Sequence, residues 1–596
     1  MKEILERSVS YYMDKDVILL DSASTISLAS RIMKRRDDDS VVVIKAGIAV
    51  GLVTDHDILD NLTTKGLNPI GSSLEMIMIS PLITIEPDAK LTAALKKMRE
   101  SHVKKLVVIE DDVVKGMIRQ SMIANAIRNA VIVKPRGVTH GLQSVLGNLG
   151  FLLQFAGVLI MIPAIGSMLL NEATVAASIF LMSVGLLTTG FFLNSYGEKA
   201  PLNIRQASVL VLSSFLLLSI FGMIPYMYLN PYNTDSLSEL MVDSFFSSAA
   251  GFTTGGISLI TTPEDLPQSF RLYRAFTQWI GGMSFIYLVM TAFYPEGKLV
   301  SMRGFITGKT LHLKELFLTI TLIFSIYVTI VSFLFYIFGA KNIVDDVSLA
   351  LSTVVTGGFV PNSTILVDME WYKTIVLIGG MILGALPFTY HYALIKRRFL
   401  TPALTKEIVV FLAVLGVSVV VFPFVVGIDS LTGIFYAVSA STTAGLQLGS
   451  IAEFNDVAKI FLMLLMFIGG CGFSTAGGIK IFRFINLASL VKRIRYKEAR
   501  KQMTRKDAKE LVSIVIIVTL FPLISYLSAL HIMGQGFTFT DSYFESVAAL
   551  TTGGLSAGVT SIDLDPVSKI ILALCMILGR FEIIAFVYII VPRLMH

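Results

Sequence analysis

The sequence predicts an α-helical membrane body of four repeated units about a common axis, with an extra helix pair before them and a soluble α/β head at the N-terminus. Three observations predict this class: an uneven distribution of charge, ten long apolar stretches and four similar Gly/Thr-rich strings. The 596-residue chain is 54% hydrophobic and 15% charged, with a mean hydropathy of +0.73. This composition excludes soluble globular, disordered and fibrous proteins.

Charge separates the head from the rest of the chain. Of residues 1–134, 37 are charged, against 55 of the remaining 462, and an ordinary soluble domain carries about 25% charged residues. We therefore expect a soluble head over 1–134. The cysteines, Cys471 and Cys575, lie in apolar segments and indicate no disulfide framework. The first residues lack the apolar region of a cleaved signal.

Ten apolar stretches are long enough to cross a hydrocarbon core of about 30 Å, which takes roughly 20 residues. They lie at about 142–170, 173–193, 206–229, 275–294, 313–339, 372–395, 406–427, 457–487, 509–531 and 567–592. Basic residues collect in the loops after the even-numbered stretches: Lys199 and Arg205; Lys298, Arg303 and Lys309; Lys396, Arg397 and Arg398; and eleven between Lys480 and Lys509. Because basic loops face the cytoplasm, we expect a multi-pass protein of the cell membrane with both termini cytoplasmic. The net charge of +6 is explained by these loops and does not indicate nucleic-acid binding.

A fourfold internal repeat occupies the loops on the opposite side. The four signature segments read SSAAGFTTGGIS (247–258), LSTVVTGGFVPN (351–362), SASTTAGLQLGS (439–450) and VAALTTGGLSAG (547–558). After a linker and helix pair over 135–205, the predicted repeats cover 206–294, 313–398, 406–490 and 509–596. Each is predicted as a helix, a short re-entrant helix, a Gly-rich strand and a second helix. Asp243, Asp346 and Asp541 are predicted at N-termini of the short helices.

The signature segments have the composition of a cation path. Non-helical backbone at membrane depth is tolerated where it lines a cavity, and its carbonyl oxygens can replace the water around a cation. Glycine presents such carbonyls without a Cβ, and the C-terminal ends of four short helices would add partial negative charge. The alternative is four ordinary Gly/Thr turns between helices, which four matching positions make the weaker interpretation. We therefore expect the four repeats to surround one pore.

At these residues the chain resembles the Trk/Ktr/HKT superfamily of potassium transporters, specifically its Trk-type membrane subunit, from about residue 142 onward. The resemblance implies a K⁺ selectivity filter made of Thr254, Gly255, Gly256, Thr356, Gly357, Gly358, Thr443, Ala444, Gly445, Thr552, Gly553 and Gly554. In plant relatives a serine in the first repeat accompanies sodium selectivity, and Gly256 occupies that position here. The departures are Val355 and Ala444, which put fine selectivity in doubt.

Two further features belong to this resemblance. The motif Leu578-Gly-Arg-Phe-Glu582 looks like the family's fourth-repeat signature, and an arginine in mid-span is costly unless it faces an aqueous path or a partner. Arg580 is therefore predicted to be an electrostatic barrier just cytoplasmic of the filter; the alternative is a structural arginine held by carbonyl oxygens between subunits. The eighth stretch is interrupted by a gate loop in the family's position, with glycines at Gly469, Gly470, Gly472, Gly477 and Gly478. Close packing of small residues against a neighbouring helix is the alternative for this loop.

The head contains a shorter repeat that resembles a tandem pair of CBS domains (a Bateman module), which commonly bind adenine nucleotides. The first copy closes with Gly51-Leu-Val-Thr-Asp-His-Asp57, and the resemblance assigns phosphate or ribose contacts to Thr54 and the ribose hydroxyls to Asp57. The second copy has Arg119 and Met122 at these positions, so one nucleotide site is expected, with a purely structural module as the alternative. Arg119 could still contact a phosphate, with a surface arginine as the alternative, and Asp37, Asp38 and Asp39 are expected to form a solvated turn.

These features together predict potassium uptake through a four-glycine filter, gated by the intramembrane loop and regulated by a ligand on the CBS pair. The protein is expected to be a homodimer in the lipid membrane, with one pore per chain, and to work with or without a separate nucleotide-binding ring subunit. No enzyme activity is expected, because the spans contain no nucleophile–base pair or metal motif. The alternatives are a sodium-permeable or Na⁺-coupled transporter, and a nucleotide-sensing receptor that does not conduct.

Overall fold

The computed structural model describes residues 6–124, 138–197, 202–293, 313–339, 342–395, 402–495 and 505–580, except for single positions 15, 37, 65, 102, 203 and 368. It divides into two compact units, Met1–Gly137 and Val138–His596. Several residues used for the orientation prediction, including Lys298, Arg303 and Arg397, lie outside the described residues, as does Glu582.

The head contains two copies of one small α/β unit. The first copy consists of β1 (Leu19–Asp21), α1 (Ile26–Arg36), β2 (Ser40–Lys45), β3 (Ile48–Thr54) and α2 (Asp55–Thr64). The second consists of β4 (Thr84–Ile85), α3 (Leu91–Glu100), β5 (Lys105–Glu110) and β6 (Val113–Arg119). In both sheets the first strand pairs parallel with the second and the second pairs antiparallel with the third. Both antiparallel ladders shift register after their fourth pair, so the two copies share even their irregularity.

The strand residues explain why these sheets form. Val41, Val42 and Val43 are fully buried in β2, as are Leu106, Val107 and Val108 in β5. Consecutive burial means that both faces of the central strand are covered, which suits β-branched side chains. One face packs on the helices of its own copy, whereas Val42, Val107 and Met117 form a shared cluster between the two copies.

The body is built of helices whose surfaces are apolar almost all round, as expected for helices that meet lipid on one side and protein on the other. The long helices are α4 (Val138–Leu169), α5 (Ala173–Tyr196), α6 (Ile204–Leu229), α8 (Gln268–Phe293), α9 (Leu313–Ile337), α11 (Trp371–Ala385), α12 (Phe388–Ile395), α13 (Pro402–Val426), α15 (Asp456–Ile468), α16 (Ile481–Arg495), α17 (Arg505–Met533) and α19 (Pro566–Arg580). Between them lie four further helices, each of which leads into a signature segment and which we call the short helices: α7 (Leu237–Phe252), α10 (Ile343–Val354), α14 (Ser430–Ser441) and α18 (Phe539–Leu550).

Six described helices are long and apolar enough to cross a membrane, and α11 with α12 makes a seventh candidate span that bends by 100°. The apolar stretch predicted over 372–395 is therefore two helices and not one continuous helix. The cause is local: Leu386 precedes Pro387, whose ring disfavours helical backbone in the residue before it, and Leu386 has an extended ψ of 152°. The eighth stretch is interrupted where the sequence predicted, because α15 ends at Ile468 and α16 begins at Ile481.

The four short helices begin with side-chain caps. Ser236, Asn342, Asp429 and Thr538 each accept hydrogen bonds from backbone N–H groups of the first turn, which stabilises an exposed helix start. Asp346 and Asp541 lie in the first turns of their helices, as the sequence predicted. The same prediction was wrong for Asp243, which is the seventh residue of α7 and is buried.

Candidate functional site

Each short helix ends in the same unusual turn. The threonines at the turn have positive φ angles: 52° at Thr254, 53° at Thr356, 51° at Thr443 and 48° at Thr552. A β-branched residue rarely adopts this conformation, and four repetitions of it indicate a backbone held in place by its surroundings. The N–H of the next residue donates to the carbonyl oxygen five positions earlier, for example from Gly357 to Ser352 at 2.7 Å and from Gly553 to Ala548 at 2.7 Å.

The turn brings four glycines together, and we call Gly256, Gly358, Gly445 and Gly554 the glycine ring. A Cβ built on Gly256 would lie 3.0 Å from the Cα of Gly554 and 3.3 Å from that of Gly358. A Cβ on Gly358 would lie 3.3 Å from the Cα of Gly445, and one on Gly445 would lie 2.6 Å from that of Gly554. The four positions therefore follow one another around a closed ring in sequence order.

Only glycine fits this ring. Each of the four has a positive φ, between 71° and 92°, and a side chain at any of them would meet the backbone of a neighbouring repeat. All four line one cavity of about 410 Å³, together with Ser258, Phe359, Gln447 and Ser556 from the residues that follow. The site is thus a narrow ring of peptide groups that opens into a wider chamber. Among the departures, Ala444 and Val355 are both fully buried.

The loop 469–478 lies against the threonine side of this ring. The N–H of Gly477 donates to the hydroxyl of Thr443, and that of Gly478 donates to the carbonyl oxygen of Thr551 at 3.0 Å. The hydroxyl of Thr475 is 3.4 Å from that of Thr356. The loop therefore contacts three of the four repeats at the turn that forms the ring.

A column of glycines explains where this loop starts. Gly281, Gly384 and Gly579 let their helices contact the last carbonyl groups of the short helix in the same repeat, at Phe252, Val354 and Leu550. The third-repeat counterpart is Gly469, which instead has a positive φ of 65° and ends α15. The loop thus replaces the second half of a helix that is continuous in the first repeat.

Arg580 contacts this loop from the fourth repeat. Its side chain is 2% exposed, and Nη1 donates to the carbonyl oxygen of Thr475 at 2.6 Å. The guanidinium carbon lies 4.3 Å from the centre of the Phe285 ring, a cation–π distance. The structure therefore places a buried cationic group beside the loop, where it donates to a carbonyl oxygen of the same chain.

Three ion pairs, which the sequence did not reveal, join neighbouring repeats around the ring. They are Arg271–Asp345 at 2.9 Å and Lys569–Asp243 at 2.6 Å, both buried, and Lys459–Asp541 at 2.6 Å, whose carboxylate is part-exposed. In each, the cation is the fourth residue of the helix that follows a signature segment, and the carboxylate lies 11 residues before the threonine of the next repeat. The equivalent residues between repeats two and three are Thr374 and Thr432, so this fourth contact carries no charge. The regular spacing from the threonines was the signal that could have revealed the pairs.

In the head, Thr54 and Asp57 are close together at the start of α2. The carboxylate of Asp57 accepts hydrogen bonds from the N–H of Thr54 at 2.8 Å and from its hydroxyl at 2.6 Å. This is a capping arrangement for the helix N-terminus. The same two side chains are half-buried rather than fully enclosed, so the cap leaves part of each accessible to a ligand.

Arg119 and its acidic neighbours correct two expectations. Arg119 is not a solvated surface residue, because it pairs with Asp38 at 2.7 Å and with Asp14 at 3.4 Å. Nor are Asp38 and Asp39 a simple solvated turn, since Asp39 pairs with Lys105 at 2.6 Å. Partial burial raises the pKa of Asp39, but Lys105 and Arg119 more than offset this, so its pKa lies below the ordinary value. Asp37 lies outside the described residues.

Comparison with known protein families places both parts of the chain. Residues 174–404 and 398–593 match the family model TrkH, described as a cation transport protein. Residues 8–64 and 74–129 match the CBS domain model. The first match covers more than half of the chain, and the second covers the two copies of the α/β unit in the head.

Individual relatives agree with the family match. An uncharacterized cation transporter of Methanocaldococcus jannaschii is 28% identical over 463 residues, which is 74% of this chain and 94% of that relative. The Trk system potassium uptake protein TrkH of Escherichia coli is 25% identical over 443 residues, 66% of this chain and 87% of that protein. The crystal structure of the potassium transporter TrkH from Vibrio parahaemolyticus has a similar fold, with a TM-score of 0.64 and 21% identity over 76% of this chain and 99% of that one.

Proposed function

Because the chain belongs to the TrkH family of cation transport proteins and carries two CBS domains, we propose that it takes up potassium across the cell membrane through the glycine ring. The potassium assignment is supported by the named substrate of the Escherichia coli relative. The transported ion is the substrate here, and no enzyme chemistry is involved. The single observation that carries the proposal is the closed ring of four peptide segments around one cavity.

The turns at the threonines have the chemistry that a dehydrated cation needs. Their backbone N–H groups already donate to carbonyl oxygens of the short helices. The backbone carbonyl oxygens of the turns are therefore the groups that can contact an ion. The C-terminal ends of α7, α10, α14 and α18 also direct partial negative charge toward the ring. The same partial negative charge would repel an anion, so the site favours cations.

Selection between K⁺ and Na⁺ follows from the backbone at the ring. The segments Thr254–Gly256, Thr356–Gly358, Thr443–Gly445 and Thr552–Gly554 form the proposed filter. Positive φ at both the threonine and the ring glycine of each repeat gives the backbone a shape that a side chain would disturb. A serine at Gly256 would intrude on Gly357 and change the coordination distance for every passing ion.

The loop 469–478 with Arg580 forms the proposed gate. Its contacts with Thr443, Thr551 and Thr356 support a position beneath the proposed filter, where a closed loop would block the path. Arg580 holds the loop through the Thr475 carbonyl group and adds a positive charge that cations must pass. Both roles require the loop to move during transport.

We also assign the CBS pair a regulatory role. An adenine nucleotide bound at Thr54 and Asp57 would bias the gate only if its affinity differs between the open and closed states. Such a bias would be transmitted through the segment 130–141, which falls largely outside the described residues. A homodimer with both termini in the cytoplasm, alone or with a separate nucleotide-binding ring protein, is the assembly that we propose.

The experiment is rubidium uptake into liposomes that contain the purified full-length protein, with sodium as competitor. Gly256→Ser should reduce the preference for Rb⁺ over Na⁺ at least tenfold, about 1.4 kcal/mol, because the new Cβ would lie 2.6 Å from the carbonyl oxygen of Gly357. The matched control is Gly427→Ser: its φ of 73° resembles that of Gly256, but nothing lies within 4 Å of an added Cβ.

Wild-type liposomes decide the function itself. Rubidium uptake that sodium competes with weakly supports potassium transport, and equal competition supports the sodium-permeable alternative. If the wild-type protein, correctly folded, moves neither ion in the presence or absence of AMP, ADP and ATP, the transport proposal fails and a receptor becomes the better hypothesis.

A further inference from the structure

A single buried layer of side chains lies behind the glycine ring. It is made by the eleventh residue of the helix that follows each signature segment (α8, α11, α15 and α19), and its members are Gln278, Met381, Met466 and Met576. Three of them have defined neighbours across the repeat boundary: Gln278 packs behind Gly357, Met466 behind Gly553 and Met576 behind Gly255. Each helix thus supports the filter segment of the next repeat.

Gln278 is the polar member of this layer. Its side chain is fully buried, a position where a primary amide is costly unless its groups are hydrogen-bonded. Nε2 donates to the carbonyl oxygen of Gly357 at 2.7 Å, and Oε1 accepts from the N–H of Phe359 at 3.3 Å. The amide therefore engages the chain on both sides of Gly358, one of the four ring glycines.

The three methionines cannot do the same. A thioether is at most a weak acceptor and has no proton to donate, so it fills space behind Gly553 and Gly255 without fixing a peptide orientation. The second-repeat segment also has Val355 before its threonine, where the others have threonine. The two hydrogen bonds of Gln278, which we call the clamp, therefore have no counterpart at the other three positions of the layer.

We propose that Gln278 is a positioning residue that sets ion selectivity by holding the peptides on either side of Gly358, an inference that depends on the proposed transport through the ring. Gly358 has a φ of 92°, the largest of the four, and glycine backbone in this region can rotate at little cost. Rotation of the Gly357 peptide would take its carbonyl oxygen out of the ring and change the ring's size. The clamp prevents that rotation.

The carbonyl oxygen of Gly357 has a second relation to the ring. It is the atom nearest to a Cβ built on Gly256, at 2.6 Å, so it lies between the first and second repeats. One of its two lone pairs receives the Gln278 amide, which leaves the other for an ion or water. The clamp therefore acts at the boundary where Gly256 itself discriminates between ions.

The test is rubidium uptake with sodium competition by two variants in the same liposomes as the wild type. Gln278→Met gives the second repeat the residue of the other three and removes both hydrogen bonds; the preference for Rb⁺ should fall about tenfold, or about 1.4 kcal/mol. Gln278→Leu has no polar atom to donate to Gly357 or to accept from Phe359 and should lose the preference to a similar extent. The control is Met466→Leu, which repacks the same layer behind Gly553 without altering a hydrogen bond and should change the preference less than twofold.

The outcomes separate the possible roles. Wild-type discrimination in either folded Gln278 variant overturns the proposal. An equal loss in Met466→Leu would show that any repacking of the layer matters and would also overturn it. If Gln278→Met does not fold, Gln278→Leu decides the question, with the Rb⁺-over-Na⁺ difference in thermal protection of the purified protein as its second readout. Failure of the proposed function would appear separately, as absence of rubidium uptake by the wild type.

Discussion

Breaking the ion pair between Lys569 and Asp243 should strongly destabilise the membrane body. The side chains are 4% and 2% exposed, and their charged atoms are 2.6 Å apart. Lys569 also donates to the carbonyl oxygen of Ile562 at 2.7 Å. The pair joins the fourth repeat's last helix to the first repeat's short helix, and so closes the ring of repeats.

The magnitude follows from the burial. Lys569→Met leaves the Asp243 carboxylate buried without its cation, which costs about 3–5 kcal/mol. Adding Asp243→Leu removes the stranded charge and should restore most of that loss, because a buried pair and an apolar pair of similar volume are often close in stability. The comparison variant is Lys459→Met: its partner Asp541 is 23% exposed, so water can solvate the remaining carboxylate and the cost should be about 1–3 kcal/mol.

The measurement is SDS-induced unfolding of the full-length protein in mild detergent, followed by tryptophan fluorescence and analysed as a double-mutant cycle. The expected order of loss is Lys569→Met, then Lys459→Met, with the Lys569→Met/Asp243→Leu double variant near the wild type. A double variant as unstable as Lys569→Met would refute the reasoning, since the loss would then come from the lysine's packing and not from a stranded charge.

Three further predictions concern the gate and the head. Arg580→Ala should raise single-channel current or uptake rate several-fold by removing both the charge and the contact with Thr475; an unchanged rate would place Arg580 outside the ion path. Asp57→Ala should weaken binding of AMP, ADP and ATP to the full-length protein at least tenfold by calorimetry, whereas the exposed Asp60→Ala should not, and equal loss in both would contradict the site. The lowered pKa of Asp39 means that its ion pair stabilises the head above the unfolded-state pKa of about 3.9. This contribution is lost as the pH falls through the lower folded-state pKa. Lys105→Met should therefore reduce the amount of hydrogen-exchange protection that β2 and β5 lose in acid. An undiminished loss of protection would assign it to other groups.

The four signature segments could be found from sequence because a positive φ favours glycine at a single position, and this preference recurs in each repeat. The positive φ of the threonines is imposed by their surroundings, and no sequence preference reveals it. The bend at Leu386 is also local in origin, but a long apolar stretch hid it: hydropathy over 372–395 does not register one proline. Asp243 was also misplaced. A carboxylate before an apolar run indicates a helix start, and the local sequence does not show that this carboxylate pairs with the distant Lys569.

The amino-acid sequence by itself determined that this protein has a charged head, a membrane body and four glycine-rich turns, because composition and backbone conformation depend on neighbouring residues. Only the tertiary structure decided that Lys569 meets Asp243, that Arg580 meets Thr475, and that Gln278 lies behind Gly357. The partners in these contacts are 326, 105 and 79 residues apart. No local rule selects such partners: they meet because the four repeats close into a ring, which brings the helices of each repeat against its neighbours.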